Sequence, residues 1–476
     1  MHGLDFKPLT PSVVASLADI CGREHVITGD EHTLRKYSHD QVPGEKYAHM
    51  PEVVVKPENT AQIAQIMRLA NAERIPVTPR AAGSGLSGGA VPIYGGILLS
   101  VERMNRVLEI DRANLMAVVE PGVITNHLDA ALREHGLFFA GYPMSEEFCF
   151  IGGNVAENAG GGRAVKYGVT GRYIHGLEVV TPTGEIVQLG GKRIKDVTGY
   201  DLVHLMVGSE GTLGIFTKIV IRLLPRPSAR AAILALFDDV SQAISVVPAL
   251  VTSAALIPSA VEFMDRFCFV ETVRALREDL PTEKVNAALL LEVDGNHEPA
   301  VLQEAEAVVA ICRASRARNT FMARGAEQIE RFWNIRKQIA WVLKRINPIQ
   351  SIEDIVVPIA AIAALIHEID QISRSYDTQI AVFGHAGDGN IHAIPTKNPA
   401  HTITQWEELL PRLLSELYQA TARLGGTISG EHGIGHKRRD YMRLVMEESQ
   451  LDMIRRIKLA LDPNSILNPG KIIPLD

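Results

Sequence analysis

The sequence predicts an α+β protein of two domains, and three observations support this prediction. The chain has 476 residues, of which 46% are hydrophobic and 22% are charged, as in ordinary globular proteins of two or three domains. Glycine is unevenly distributed: 24 of the 39 glycines lie between positions 83 and 214, and two lie between positions 215 and 383. Amphipathic stretches of helical period alternate with short apolar stretches that are typical of strands.

The glycine distribution also indicates the domain boundaries. A tract dense in glycine indicates backbone that adopts positive φ or approaches a ligand closely, whereas a tract almost without glycine is typical of packed helices and strands. We therefore expect a first domain over residues 1–225, a second over 226–422, and a C-terminal segment over 423–476 that returns to the first domain. Pro225–Ser228 is the expected linker.

Local periodicity predicts the main elements of both domains. The first domain is expected to contain a helix over 60–71, a strand over 75–80, and further strands over 117–120, 176–181 and 215–223. The second is expected to contain a strand over 287–293 and helices over 300–310, 327–346, 360–373 and 403–424. Both domains are therefore α+β, without an internal repeat.

Charge and hydropathy exclude several functional classes. The 48 Lys and Arg residues against 55 Asp and Glu residues give a formal net charge of −7, so no nucleic-acid partner is expected. No apolar run approaches the roughly 18 residues that cross a bilayer, and residues 1–10 lack the basic start and apolar stretch of a secretory signal. We therefore expect a cytoplasmic protein without a transmembrane segment.

The cysteines point to no redox or metal framework. They are far apart and form no C-x-x-C pair, which argues against a disulfide framework, an iron–sulfur cluster and a cysteine-rich zinc site. We expect all four to be buried as small apolar side chains, and they are Cys21, Cys149, Cys268 and Cys312.

One glycine-rich segment, Gly83–Gly88, has the pattern G-x-G-x-x-G that opens a helix in dinucleotide-binding domains. Pro92 and the pair Gly95–Gly96 follow it, and these residues cannot propagate such a helix. We therefore predict no nicotinamide site of the Rossmann type. The segment either cradles a phosphate group with its backbone N–H groups or is an ordinary turn.

Two further segments, Ile151–Gly162 and Val207–Gly214, are predicted to be glycine-rich loops of the same kind. Three such loops within one domain favour a large ligand that contacts backbone along much of its length.

Histidines and carboxylates occur together in two other glycine-rich segments. The stretch H-A-G-D-G-N-I-H, from His385 to His392, is predicted to form strand, turn and strand, which brings the two imidazoles near each other. The stretch G-E-H-G-I-G places Glu431 beside His432. Two imidazoles and a carboxylate suit a catalytic Zn²⁺, Mn²⁺ or Fe²⁺ site. The alternative is that each histidine caps a turn or forms a hydrogen bond in the core.

Neighbouring polar residues have simpler interpretations. Asp388 and Asn390 are typical turn residues. His436 and the run Lys437–Arg439 are interpreted as a solvated helix start rather than as substrate-binding residues.

These motifs together resemble those of a known family. Pro79–Gly89, Ile151–Gly168 and Gly208–Gly214 are similar to the FAD-binding domain of the vanillyl-alcohol-oxidase/p-cresol-methylhydroxylase type. Nearly the whole chain resembles the FAD-linked 2-hydroxy-acid dehydrogenases, a group that includes D-lactate dehydrogenases, the flavin subunit of glycolate oxidase and D-2-hydroxyglutarate dehydrogenases. The resemblance implies an FAD-binding domain followed by an α+β substrate (cap) domain.

The resemblance also implies which residues hold FAD. The flavin is expected to be non-covalent, because some relatives attach it through a histidine and residues 79–89 contain none. The implied cofactor-binding residues are Arg80, Ala81, Gly83, Ser84, Gly85, Leu86, Ser87, Pro143, Gly152, Gly153, Asn154, Ala156, Gly160, Glu210, Gly214, Ile215 and Ile219.

The resemblance assigns catalytic roles in the second half of the chain. It implies a divalent metal (Zn, Mn or Fe), His432 as the base and Arg336 as the partner of the substrate carboxylate. The implied metal ligands are His385, His392 and Glu431. The alternative for Arg336 is a helix-surface arginine paired with a nearby glutamate.

Two positions bear on the substrate. Ala340 lies four residues after Arg336, where dicarboxylate-specific relatives tend to have a polar residue, which favours a small monocarboxylate. Ile359 stands where many glycolate- and lactate-type relatives have an arginine, so the sequence departs from their pattern at this position.

The predicted reaction is FAD-dependent oxidation of a D-2-hydroxy acid to the 2-keto acid, with D-lactate or glycolate favoured and hydride transfer to flavin N5. Because the chain offers no cysteine cluster and no nicotinamide site, electrons are expected to leave to an external acceptor. The resemblance implies an iron–sulfur subunit, an electron-transferring flavoprotein, a quinone or a cytochrome, and the absence of a membrane segment favours one of the first two. The alternatives are a D-2-hydroxyglutarate dehydrogenase, a non-catalytic FAD-binding subunit, and a flavin-bearing synthase similar to the alkyl-dihydroxyacetone-phosphate synthases. A homodimer is compatible with the sequence.

Overall fold

The computed structural model describes residues 5–474, which form two compact units. The first unit combines residues up to 159 with 169–226 and with the residues from 431 onward. The second unit combines residues 160–168 with 227–430. The C-terminal segment expected from residue 423 is therefore divided, because its first eight residues, 423–430, belong to the second unit.

The first unit contains a four-stranded sheet in the order β1-β2-β4-β3. Its strands are β1 (Val26–Ile27), β2 (Val53–Val55), β3 (Val77–Arg80) and β4 (Ile97–Ser100). Strands β2, β4 and β3 run parallel. Beyond β3, Val77 N–H donates to the carbonyl of Ile466 at 2.8 Å, and Asn468 N–H donates to the carbonyl of Val77 at 2.7 Å. Residues 466–468 thus extend this sheet from the far end of the sequence.

A second sheet of the first unit is antiparallel throughout, in the order β5-β6-β10-β8-β9. Its strands are β5 (Val107–Asp111), β6 (Met116–Val119), β8 (Ile174–Val180), β9 (Ile186–Gly190) and β10 (Ile215–Arg222). A short ribbon pairs β7 (Leu137–Phe138) with β11 (Leu224–Pro225). The expected linker therefore begins within a hydrogen-bonded strand.

The helices of the first unit cover its sheets and connect their strands. They are α1 (Pro11–Cys21), α2 (Glu31–Arg35), α3 (Thr60–Glu73), α4 (Thr125–Arg133), α5 (Ile151–Glu157), α7 (Leu202–Met206) and α14 (Glu448–Leu461), with 3₁₀ helices at Arg23–His25, Glu45–Tyr47, Thr170–Tyr173 and Arg439–Leu444. Helix α3 confirms the helix predicted over 60–71. It begins where the Asn59 side chain accepts a hydrogen bond from Gln62 N–H at 3.0 Å.

The second unit is built on a seven-stranded antiparallel sheet in the order β15-β12-β14-β13-β17-β18-β16. Its strands are β12 (Ala229–Phe237), β13 (Ala260–Asp265), β14 (Ala287–Gly295), β15 (Asn319–Arg324), β16 (Glu353–Val356), β17 (Ile380–His385) and β18 (Asn390–Pro395). Strand β14 is buried over eight consecutive residues, which explains why residues 287–291 are apolar without alternation.

The helices of the second unit are α6 (Ala164–Tyr167), α8 (Val240–Ala254), α9 (Arg266–Leu276), α10 (Glu298–Ala314), α11 (Ala326–Ile346), α12 (Ile362–Ser375) and α13 (Ile403–Arg423), with a 3₁₀ helix at Ile359–Ala361. Helices α10, α11, α12 and α13 confirm the predicted helices, with bounds that shift by a few residues, whereas α6, α8 and α9 were not predicted. These helices could be predicted from the spacing of apolar residues in the sequence, because each long helix buries one continuous apolar face.

All four cysteines are buried, as predicted. Burial raises the pKa of the Cys312 thiol to about 12, which keeps it protonated and unreactive at neutral pH.

Candidate functional site

The three glycine-rich segments of the first unit lie against one another. They are the loop after β3, helix α5 and the turn before β10. The N–H of Glu210, in the turn, donates to the carbonyl of Ala156 in α5 at 2.8 Å. The hydroxyl of Ser87, in the loop, donates to the carboxylate of Glu157 at 3.2 Å. We call residues 80–89, 151–158 and 208–214 the glycine cradle.

The loop of the glycine cradle does not open a helix. After β3 the chain passes through turns until β4 begins at Ile97, so the expectation that this segment does not open a helix is confirmed for residues 81–96. A non-helical loop of small residues leaves backbone N–H groups for an anionic ligand, which suits the pyrophosphate of a dinucleotide.

The prediction that residues 151–162 form a loop is wrong for its first half, because Ile151–Glu157 is helix α5. A Cβ on Gly152 would lie 2.6 Å from the Cβ of Pro121 and 2.9 Å from its carbonyl oxygen. Gly152 is therefore required by close packing of a regular helix rather than by an irregular backbone. The helix ends at Asn158, which adopts positive φ of +53°.

The structure places most of the predicted cofactor residues in the first unit. Ala81, Gly83, Ser84, Gly85, Leu86 and Ser87 lie on the loop; Gly152, Gly153, Asn154 and Ala156 on α5; Glu210 and Gly214 on the turn; Ile215 and Ile219 on β10; and Pro143 after β7. Gly160 lies in the second unit. Arg80 is buried at the end of β3, and its guanidinium donates to the carbonyl of His39 at 2.8 Å, so it supports the loop from inside.

The C-terminal part of the first unit packs on the glycine cradle. The Glu210 carboxylate accepts hydrogen bonds from Ile434 N–H at 2.7 Å and Gly435 N–H at 2.6 Å, and burial raises its pKa. The Arg438 side chain is fully buried and donates to the carbonyl of Leu86 at 3.1 Å. The predicted solvated helix start is therefore wrong at Lys437 and Arg438, since both are buried.

The second unit brings His385 and His392 together. They lie on β17 and β18, where His385 pairs with Asn390 and His392 pairs with Phe383. The two imidazoles are therefore diagonal neighbours on one face of the sheet, with ring centres 5.3 Å apart at an interplanar angle of 85°. Both residues are buried.

A buried carboxylate lies on the Nδ1 side of each imidazole. Glu262, on β13, has a carboxylate oxygen 2.7 Å from His385 Nδ1. Asp354, on β16, has one 3.6 Å from His392 Nδ1 and accepts a hydrogen bond from the Asn390 amide at 2.7 Å. A histidine whose Nδ1 faces a carboxylate turns Nε2 in the opposite direction, as metal-binding histidines do.

Asp354 also fixes the end of the second unit. Its other oxygen accepts hydrogen bonds from the Ser429 hydroxyl and from Gly430 N–H, each at 2.8 Å. The next residue in the chain is Glu431, which begins the last part of the first unit. Glu431 and His432 are both partly buried, with Oε1 and Nε2 3.8 Å apart.

Arg336 points inward from α11 and is 4% exposed, so it is not a helix-surface arginine. Its Nε lies 2.6 Å from a carboxylate oxygen of Glu262, and its guanidinium carbon lies 4.8 Å from the ring centre of Phe383. Nη2 is buried and has no hydrogen-bond partner within residues 5–474. Ala340, four residues after Arg336 on α11, is exposed, whereas Arg336 is buried.

Glu262 and Asp354 were missed by the sequence analysis. Each had a signal, because a single carboxylate in A-V-E-F-M and a pair in I-E-D-I-V interrupt strands that are otherwise apolar. Charged side chains at such positions are buried only when they are paired.

Comparison with known proteins finds two family matches, in two successive parts of the chain. Residues 51–190 match the family described as FAD binding domain, and this range includes the loop and α5 of the glycine cradle. Residues 226–472 match the family described as FAD linked oxidases, C-terminal domain, which covers more than half of the chain. The chain belongs to the FAD-linked oxidase family. It is therefore an FAD-linked oxidoreductase, and the predicted family resemblance is confirmed.

Similar proteins of this family align along the full chain. Glycolate oxidase subunit GlcD of Bacillus subtilis (strain 168) is 38% identical over 98% of each chain. D-lactate dehydrogenase of Anaerostipes hadrus is 34% identical over 99% of each chain, and D-2-hydroxyglutarate dehydrogenase of Stutzerimonas stutzeri (strain A1501) is 29% identical over 97% of this chain and 99% of that protein.

A solved structure supports the predicted fold. p-Cresol methylhydroxylase with substrate bound has a TM-score of 0.82 over 99% of each chain at 18% identity, which establishes the shared FAD-binding fold. Among the helices that the structure describes, none has the length and apolar character needed to cross a membrane.

Proposed function

We propose that this FAD-linked oxidoreductase oxidises a D-2-hydroxy acid, with D-lactate or glycolate favoured, to the 2-keto acid. The observation that carries the proposal is the buried cluster of the second unit, in which the His385 imidazole and the Arg336 guanidinium both contact Glu262 and the His392 ring lies beside that of His385. An arginine suits the carboxylate of such a substrate, and paired imidazoles suit a metal that binds its hydroxyl. The names of the glycolate and D-lactate relatives favour the same substrate class.

Each proposed residue has a chemical task. Arg336 binds the substrate carboxylate, since its Nη2 is buried without a hydrogen-bond partner among the described residues. His432 accepts the proton of the substrate hydroxyl. The proposed metal ligands are His385, His392 and Glu431, and a bound Zn²⁺, Mn²⁺ or Fe²⁺ would lower the pKa of that hydroxyl.

The cofactor tasks belong to the glycine cradle of the first unit. FAD supplies the acceptor for the hydride of the substrate carbon, and we propose that it is bound without a covalent link, since residues 79–89 contain no histidine. The proposed electron acceptor is a separate protein, an iron–sulfur subunit or an electron-transferring flavoprotein, because the sequence has no cysteine spacing typical of a cluster.

Anaerobic flavin bleaching tests this function directly. The purified FAD-loaded protein is mixed with D-lactate, L-lactate, glycolate and D-2-hydroxyglutarate, and flavin absorbance is followed over time. We expect rapid bleaching with D-lactate or glycolate and little with L-lactate, since a chiral site holds only one enantiomer with its hydrogen towards the flavin. Reduced protein should then be reoxidised slowly by O₂ or NAD⁺ and rapidly by an artificial dye.

Other outcomes identify the alternatives. Bleaching confined to D-2-hydroxyglutarate would assign the dicarboxylate substrate, and no bleaching with any hydroxy acid would favour a non-catalytic FAD-binding subunit. Reoxidation by O₂ or NAD⁺ as fast as by the dye would remove the need for a protein acceptor.

A further inference from the structure

Glu262 contacts two residues that have different proposed tasks. One carboxylate oxygen lies 2.7 Å from Nδ1 of His385, a proposed metal ligand. The other lies 2.6 Å from Nε of Arg336, the proposed partner of the substrate carboxylate. The Glu262 side chain is fully buried on β13, the strand that pairs with β17. This side chain therefore joins the two halves of the cluster.

We propose that Glu262 is a positioning residue that orients the metal-binding imidazole and the substrate-binding guanidinium at the same time. This inference rests on the proposed function. In it, Glu262 affects the reaction by holding His385 and Arg336 in place, without binding the metal or the substrate itself. It predicts that one substitution weakens metal binding and carboxylate binding together.

The effect on His385 follows from hydrogen-bond roles. A carboxylate paired with a guanidinium is ionised and can only accept, so Nδ1 of His385 carries the hydrogen and donates it to Glu262. The lone pair of this imidazole is then at Nε2, which is the atom left to bind a metal. Such a carboxylate also fixes the ring plane and makes the imidazole a stronger ligand.

The effect on Arg336 follows from its planar geometry. Glu262 faces Nε at one edge of the guanidinium, and the Phe383 ring stacks on its plane, with the guanidinium carbon 4.8 Å from the ring centre. One edge and one face of the guanidinium are therefore occupied. The buried Nη2, which has no hydrogen-bond partner within residues 5–474, remains for a ligand. A guanidinium held on two sides loses little rotational freedom when it binds a carboxylate.

Glu292 provides a matched control on the adjacent strand. It is also fully buried, on β14, and pairs with Ala260 two residues before Glu262 on β13. Its partners are Arg230 at 2.6 Å, the indole N–H of Trp333 at 2.7 Å, the Ser259 hydroxyl at 3.3 Å and Arg163 at 3.4 Å. Neither His385 nor Arg336 is a partner in these contacts. Glu292→Gln removes a buried charge from the same sheet without touching the proposed site.

The test compares Glu262→Gln with Glu292→Gln in the FAD-loaded protein. We measure Zn²⁺ affinity by competition with a chromogenic chelator, and affinity for the keto-acid product by perturbation of the flavin spectrum. For Glu262→Gln we expect Zn²⁺ affinity to fall about 10–100-fold and product affinity to fall about 10-fold or more. Glu292→Gln should leave both affinities at the wild-type values, even where it lowers thermal stability.

A second variant covers the case in which Glu262→Gln does not fold. The double variant Glu262→Met/Arg336→Met removes both buried charges, which proteins tolerate better than the loss of one partner. Zn²⁺ affinity should still fall, because His385 has lost its acceptor. Wild-type Zn²⁺ affinity in either variant, or equal losses in Glu292→Gln, would overturn the positioning role. A wild-type protein that neither binds metal nor oxidises hydroxy acids would instead refute the proposed function.

Discussion

Individual carboxylates distinguish the second unit from an ordinary apolar sheet. Glu262, Glu292 and Asp354 have fully buried side chains, yet each has charged or N–H partners within hydrogen-bond range. Burying an unpaired charge is costly, so such residues persist where pairing is complete or where function requires them. Two of the three lie beside the histidines of the proposed metal site.

Two histidine substitutions separate the proposed base from the proposed ligands. His432→Ala should keep the bound metal and lower the rate of flavin reduction about 10²–10⁴-fold, the usual effect of losing a positioned base. His385→Ala should lose the metal and reduction while FAD stays bound, since the glycine cradle belongs to the first unit. Metal content, flavin content and single-turnover reduction are measured for each variant. Full metal content with normal reduction in His385→Ala would contradict its role as a ligand.

At this scale the sequence indicated the residues proposed to react better than the residues that support them. His385 and His392 were candidates because of their residue type and glycine-rich surroundings, and Arg336 was a candidate because of the family resemblance. Glu262 was missed because its role depends on pairing between strands that are distant in sequence. No local pattern states that β13 lies beside β17.

Helix α5 shows how one element combines packing and binding. It is seven residues long and contains two consecutive glycines, so its intrinsic helix propensity is low. It nevertheless forms, because Gly152 allows the backbone to pack directly on Pro121. Its position within the glycine cradle therefore depends on the absence of a side chain.

Adding one methyl group tests this dependence. Gly152→Ala places a Cβ 2.6 Å from Pro121, so α5 must shift, and we expect a loss of about 1–3 kcal/mol in the free energy of unfolding and weaker FAD binding. Gly153→Ala is the control for stability, since its Cβ would meet a milder clash, 3.2 Å from the Cβ of Ala81. Thermal unfolding compares the two variants, and FAD titration compares Gly152→Ala with the wild type, because Gly153 is itself a predicted cofactor-binding residue. Equal stability of the two variants would show that contact with Pro121 does not fix α5.

The long helices α11 and α13 were predicted from the sequence, whereas the short helix α5 was not. In helices such as α11 and α13 the apolar residues recur at helical spacing over several turns. The helical period can therefore be recognised even where single residues depart from it. Helix α5 and the residues around Arg438 are too short for a period to emerge. Their structure depends on contacts with other segments of the first unit, which local sequence does not encode.

Burial of a titratable side chain should make the stability of the whole protein depend on pH, and His436 is such a side chain. Burial, with the positive charges of Arg439 and Lys471 nearby, lowers the pKa of His436 from 6.5 to about 4. Its ring also lies near His49, with ring centres 5.8 Å apart. His436 is therefore protonated at a lower pH in the folded protein than in the unfolded chain.

The sign of the effect follows from proton linkage. Between pH 6.5 and pH 4 the unfolded chain binds a proton at His436 that the folded protein does not, so the free energy of unfolding falls as the pH is lowered through this range. His436→Gln should reduce proton uptake on unfolding by up to about one proton. Urea unfolding of wild type and variant across this range measures the difference. Parallel stability profiles would show that His436 titrates normally in the folded protein.

Residues 466–468 give the first unit an unusual order of assembly during synthesis. They hydrogen-bond to Val77 on the outer strand β3, and the side chains of Ile466 and Leu467 are fully buried in the same core as α3. A ribosome delivers this edge segment only after residues 227–430 of the second unit have emerged. The second unit can therefore fold on the nascent chain while the outer edge of β3 is still uncovered. A chain halted before residue 466 would present that open edge to chaperones and proteases, so translation must pass this point before the first unit is protected.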